Sequence, residues 1–202
     1  MIKFWPKEKV YPYLLVIGAA IGILASGILM VDKVKLAGDA GFNPNCNLNP
    51  IFSCTSVMKS EEANAFGFPN PIIGLVSFGV VITVGMAMLA GSSKRLMFKR
   101  WFWLGLQAGT LFGVLFVHWL FYHTVYDIGA LCLYCMIVWS VTIPIFWYTL
   151  LYNLKQGYIK TPSSLKKLVA FAQTNHLGIL FLWYVAIAAL ILRHFWYYFG
   201  PS

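Results

Sequence analysis

The chain has 202 residues, of which 60% are hydrophobic and only 10% charged. That leaves too little polar surface for a water-soluble globule and puts the protein in a bilayer. The net charge of +9 does not indicate nucleic acid, because the basic residues fall in short clusters between apolar runs, as membrane topology requires, rather than along one face.

Pro12 to Met30 carries no charge and follows Lys3, Lys7 and Lys9, so it is long enough for a first membrane helix. A cleaved signal peptide is the alternative, since Ala25-Ser26-Gly27 offers small residues, but the apolar run continues past them. A polar loop over residues 31–71 holds Cys46 and Cys54. Within it, Ser53 to Phe66 has the pattern of a short interfacial helix, with Cys54, Val57 and Met58 toward lipid or core and Lys59, Glu61 and Glu62 toward water; Pro69 and Pro71 end it. Helix two is expected over Ile72 to Ala90 and helix three over Trp101 to Tyr122. A loop from His123 to Leu131 leads to helix four, which leaves the membrane near Tyr152, and a basic connector precedes helix five, Leu177 to Tyr197.

Short loops rich in Lys and Arg stay in the cytoplasm. Eleven basic residues (Lys3, Lys7, Lys9, Lys94, Arg95, Lys99, Arg100, Lys155, Lys160, Lys166 and Lys167) fall on one side, against Lys33, Lys35, Lys59 and Arg193 on the other. The N-terminus is therefore expected in the cytoplasm, with the C-terminus and all four cysteines outside, where disulfides persist. Trp5, Tyr11, Tyr13, Trp101, Trp103, Tyr148, Tyr152, Trp196, Tyr197 and Tyr198 cluster near span ends and read as an interfacial aromatic belt. There is no internal repeat, and a single membrane domain over residues 1–202 is expected, with no fused thioredoxin-like domain.

The chemistry centres on Cys132-Leu133-Tyr134-Cys135. Two thiols three residues apart at a helix start share one face, and the unpaired amides there favour a thiolate; Asp127 is a plausible cap for that helix. Haem attachment would need His after the second cysteine, where Met136 stands. A zinc site made of Cys46, Cys54, Cys132 and Cys135, or two static disulfides, remains chemically open beside redox exchange. Exchange needs a thiolate attacking a disulfide, so a relay from a soluble protein to a lipid-dissolved quinone calls for a mobile outer pair and a fixed inner pair. Cys46 and Cys54 suit the first role, Cys132 and Cys135 the second.

Cys46, Cys54, Ser60, Asn70, Cys132 and Cys135, in that order, resemble the vitamin K epoxide reductase family in its prokaryotic branch, and the fifth helix is similar to the five-span layout of those members. The resemblance implies an all-α integral membrane protein: four helices around a quinone, a peripheral fifth, and the loop helix as a lid. It further implies a thiol oxidase supporting disulfide formation, in which Cys46 meets a reduced thioredoxin-fold partner (DsbA-like, periplasmic or otherwise extracytoplasmic) and Cys54 attacks Cys132. Cys135 then faces the quinone, ubiquinone or menaquinone, Asn70 donates to a quinone oxygen, and Ser60 steadies the loop. Asn70 and Ser60 also read simply as a turn residue and a local backbone partner. Met58 is a candidate for the pocket wall. Trp139 stands where vertebrate members present a Tyr, and an indole cannot act as a phenolic acid, which favours simple quinone reduction over epoxide reduction. His118 and His123, near the outer end of helix three, are candidates for a proton relay or for plain interfacial residues; His176 and His194 suggest nothing. The DsbB-type oxidases place their paired cysteines in the opposite order, and an outward thiol conduit would need a cysteine reachable from inside, where none is expected.

Overall fold

The computed structural model describes residues 10–39, 41–91 and 98–199. Trp5, the charges at Lys3, Lys7, Lys9, Lys94 and Arg95, and the last three residues lie outside them. Among the described residues the chain is helical, without strands, and five helices are long and apolar enough to cross a membrane.

The first, α1 (Val10–Gly38), runs two turns further than its uncharged stretch. Asp32, Lys33 and Lys35 are thus helical residues, because a helix needs no apolar side chains once it has left the hydrocarbon. The expected lid helix is split. α2 (Cys54–Lys59) is capped by the Ser53 hydroxyl, which accepts from the Ser56 amide, and it ends where Ser60 turns extended (φ −69°, ψ 158°) before a 3-10 turn, Glu61–Asn64. α3 (Asn70–Ala90) takes Pro71 into its first turn, where a missing N–H costs nothing. α4 (Arg100–Tyr122) continues into a π-helical turn, His123–Ile128, in place of the expected loop. α5 (Leu133–Lys155) follows; its cap is Cys132 and not Asp127, which instead bonds His123 inside the π-helical turn. The basic connector contains α6 (Lys166–Thr174), and α7 (His176–His194) is followed by one more turn, α8 (Trp196–Phe199).

α1 packs on both α3 and α5, and α4 on α5, whereas α3 and α4 stand apart across a cavity. Glycines let α1 and α3 approach: a Cβ on Gly22 would lie 2.5 Å from the Phe78 ring, and one on Gly85 would lie 3.1 Å from the Val16 backbone nitrogen. α7 lies outside the four, held to α4 by Trp183 Nε1 donating to His118 Nε2 (2.9 Å) and to α5 by the Tyr184 hydroxyl donating to the Ser140 carbonyl (2.5 Å).

Part of the expected aromatic belt is core. Tyr11, Trp103 and Tyr148 are buried, with Tyr11 stacked on Tyr152 at 4.7 Å and its hydroxyl 3.0 Å from Thr149 Oγ1. Their rings fill the end of the bundle remote from the cysteines. Tyr13, Trp101, Trp196, Tyr197 and Tyr198 are exposed, as a belt requires.

Candidate functional site

The four cysteines meet at one end of the bundle. Cys46 and Cys54 form a disulfide, while Cys132 and Cys135 are free thiols. Cys46, Cys54 and Cys132 belong to one buried cluster with Leu29, Val57, Met58 and Ala130, and Cys135 packs against it. Backbone pairing sets this register: the Leu131 amide donates to the Ile51 carbonyl (2.6 Å) and the Ser53 amide to the Leu131 carbonyl (3.0 Å). Each of these residues directly precedes a cysteine or stands close before one, so the bridge ties the outer pair to the inner.

The outer pair is less open than its loop position suggested. Cys46 is 3% exposed, and the segment between the two cysteines is knit by Asn47, whose side chain donates to Asn43 Oδ1 and Thr55 Oγ1 and accepts from the Thr55 amide. An attacking thiol reaches Cys46 only after this loop shifts.

At the inner pair, Cys132 occupies the cap position of α5 and its sulfur accepts from the Cys135 amide at 3.4 Å. The Cys135 thiol first, and then the Cys135 and Tyr134 amides, hold Cys132 below the ordinary thiol range, against burial and the Asp32 carboxylate. The thiolate is thus favoured at Cys132 chiefly by the neighbouring thiol, with the helix amides expected from the sequence adding to it.

Both thiols open onto a cavity of about 520 Å³ bounded by α1, α3, α4, α5 and the lid. Its wall is mostly apolar, within the size range of small-molecule sites. Ser60, Asn70, Met58 and Trp139 all line it. Asn70 is engaged with the lid: its Nδ2 donates to the Glu62 carbonyl (2.6 Å) and its Oδ1 accepts from the Ala65 amide (3.1 Å), which leaves one amide hydrogen for a ligand. The Ser60 hydroxyl donates to the Val57 carbonyl (3.1 Å), the local pairing that the turn predicts, while its residue still forms part of the wall. Met58 is buried between wall and cysteine cluster. The Trp139 ring stands edge-on to Phe121 at 5.8 Å.

Neither His118 nor His123 is among the lining residues. His118 Nδ1 bonds the Val114 carbonyl (2.7 Å) and its Nε2 takes the Trp183 N–H, so both nitrogens serve helix packing. His123 pairs with Asp127. At the far end, His176 is buried with Nδ1 2.9 Å from the Tyr148 hydroxyl, whereas His194, at the cysteine end, packs against Tyr126 and Phe195.

The sequence reading overlooked Lys33, a cavity-lining residue whose Nζ donates to the Ala63 carbonyl of the lid (3.2 Å). Ser26, Leu29 and Lys33 share a helical face, a signal hidden by ending helix one at Met30. It also missed Phe66, which rests on Phe112 and Phe116 of α4 at 6.3 and 5.6 Å and fastens the lid on its other side. Glu62, on the lid, has its carboxyl held below the ordinary range chiefly by its own backbone amide.

Two of the alternatives open at the sequence do not fit this arrangement. A four-thiolate zinc site is unavailable while Cys46 and Cys54 are bonded to each other, and two static disulfides are inconsistent with free Cys132 and Cys135.

A search of curated proteins found no match. The model of the vitamin K epoxide reductase family matches residues 13–150, a stretch that runs from within α1 through most of α5 and takes in every cysteine and the whole cavity. The chain therefore belongs to the vitamin K epoxide reductase family, whose members are oxidoreductases that link thiols to quinones.

Proposed function

We propose that the protein is a quinone-dependent thiol oxidase that supports disulfide formation outside the cytoplasmic membrane. The observation that carries this reading is the apolar cavity with Cys132 and Cys135 in its wall, directly beneath a closed Cys46–Cys54 disulfide. Orientation follows the Lys and Arg bias, which places the cysteines outside.

A reduced thioredoxin-fold protein attacks Cys46, and the Cys46–Cys54 disulfide opens to a dithiol as the partner's own pair closes. Cys54, as thiolate, then attacks Cys132 of an inner disulfide and releases Cys135; Cys46 resolves the mixed bond, restoring the outer disulfide and leaving two inner thiols. A closed outer pair beside free inner thiols is compatible with that product state. The inner pair finally gives two electrons and two protons to the quinone, which leaves as hydroquinone while Cys132 and Cys135 close. Cys135 acts on the quinone, and the spare amide hydrogen of Asn70 meets the oxygen where negative charge develops. Ser60, Met58 and Trp139 shape the wall, and the indole of Trp139 supplies no phenolic acid for epoxide chemistry. Few contacts join α3 to α4, and in this reading the apolar tail of the quinone passes between them.

The test is quinone reduction by purified protein, followed by absorbance, with a small dithiol or a reduced thioredoxin-fold protein as donor and with both ubiquinone and menaquinone as acceptors. Cys135→Ala is expected to abolish both activities, whereas Cys46→Ala loses mainly the protein-driven one. Wild type that reduces neither quinone with either donor rules the oxidase reading out.

A further inference from the structure

Between α5 and α7, on the side of the membrane opposite the cysteines, α6 exposes an apolar flank that none of the described residues covers. Its position is fixed at both ends. Before it, Tyr158 stacks on Trp103 at 5.8 Å and its carbonyl accepts from Arg100 Nε at 2.8 Å. After it, buried His176 bonds the Tyr148 hydroxyl through Nδ1, and its carbonyl accepts from Trp147 Nε1 at 3.2 Å. α6 is thus held where two spanning helices leave and re-enter the membrane, which is the lipid headgroup layer.

At 3.6 residues per turn, α6 divides into three strips. Half-buried Val169, Ala172 and Gln173 face the bundle. Beside them Leu168 and Phe171 point away from it, 62% and 58% exposed, continuing from exposed Leu165. The remaining strip holds Lys166 and Lys167, both exposed, with exposed Lys160 a few residues ahead. The helix buries no residue of its own, so its apolar flank is stable only against something apolar. Charge identifies what that is. Residues 155–175 contain no acidic residue; five of the six acids in the chain, Asp32, Asp39, Glu61, Glu62 and Asp127, lie at the cysteine end, and the sixth, Glu8, is outside the described residues. The lysines have no counter-charge within the described protein at that level.

We propose that α6 is a binding surface for anionic phospholipid, with Leu165, Leu168 and Phe171 set at the acyl boundary and Lys160, Lys166 and Lys167 holding the headgroups. An apolar flank bordered by lysines, with Lys167 next to Phe171 around the helix, matches both layers of such a leaflet. The inference is independent of the thiol chemistry.

The experiment is hydrogen–deuterium exchange of the full chain, one molecule per nanodisc, in phosphatidylcholine alone or mixed with phosphatidylglycerol. Backbone amides of Leu168 to Thr174 are expected to exchange at least about tenfold more slowly with phosphatidylglycerol present. The K160Q/K166Q/K167Q variant is expected to lose that difference, and L168Q/F171Q to exchange faster in both lipids. Equal exchange of wild type in the two lipids, or lipid-dependent protection that survives in the lysine variant, overturns the proposal. So does wild-type exchange in L168Q/F171Q, because the apolar flank is then not seated in lipid.

Discussion

Cys132 combines two jobs that other helices give to different residues, since the sulfur that caps α5 is also, in the proposed mechanism, a redox centre. Because hydrogen bonds from the Cys135 thiol and the first-turn amides lower its pKa, its thiolate persists to lower pH than that of a free cysteine. Alkylation of Cys132 by a small maleimide, followed by mass spectrometry across pH, should therefore reach half its maximal rate at a lower pH than a model thiol. Asn70 likewise serves the lid and, in the proposed mechanism, the quinone. Asn70→Ala should lower turnover about 10²-fold and also speed amide exchange over residues 61–68, because the Glu62 and Ala65 contacts go with the donor. His118 gives the opposite pattern. With both nitrogens occupied by Val114 and Trp183, His118→Phe should leave turnover unchanged while lowering thermal stability by about 1–2 kcal/mol, measured by melting in detergent. The sequence held the identities of these residues but not this division of labour, because hydrogen-bond partners 65 residues apart leave no local trace.

The spanning helices were legible as elements, since uninterrupted apolar runs leave little else possible in a bilayer. Their ends were less so. α1 outruns its apolar stretch by carrying Lys33 up to the lid, and the lid breaks at Ser60 because its backbone turns extended there, which a helical pattern of side chains does not register. The π-helical turn was read as loop for a similar reason: its Asp127 and Gly129 look like punctuation, yet Gly129 supplies the left-handed residue (φ 66°) that closes the turn and aims the chain back at Leu131. Contact between α1 and α3 depends on small residues that composition alone does not single out. Gly85→Ala should cost about 1–3 kcal/mol, read as a lower melting temperature, since the added methyl meets the Val16 backbone and the Leu15 Cβ, neither of which swings aside.

At the scale of the molecule, four helices enclose the cavity and the fifth braces it from outside, an arrangement implied by family resemblance more than by any pattern in the residues. Hydropathy counts spans, but does not say which two neighbours stand apart, and the cavity lies between α3 and α4. The inner aromatic residues show the same limit. Tyr11, Trp103 and Tyr148 sit at the depth of a belt, and only packing reveals that they plug the bundle end instead. In the proposed function a large apolar ligand approaches through the membrane. Gly109→Leu, at a cavity-lining glycine where an added Cβ meets open space, should raise the KM for long-tailed quinones more than for a tail-less analogue, compared in the same absorbance assay.

The sulfur cap also has a voltage. The helix start is capped by the free Cys132 sulfur facing the Cys135 amide, and loss of that contact on closing an inner disulfide would favour the dithiol. A helix cap contributes about 1 kcal/mol. For a two-electron couple that raises the midpoint potential of the inner pair by roughly 20 mV. In the proposed relay, the first turn of α5 would thereby make Cys132 and Cys135 a slightly stronger oxidant than the same two thiols in an uncapped chain, and would tilt electron transfer inward, from the loop toward the membrane.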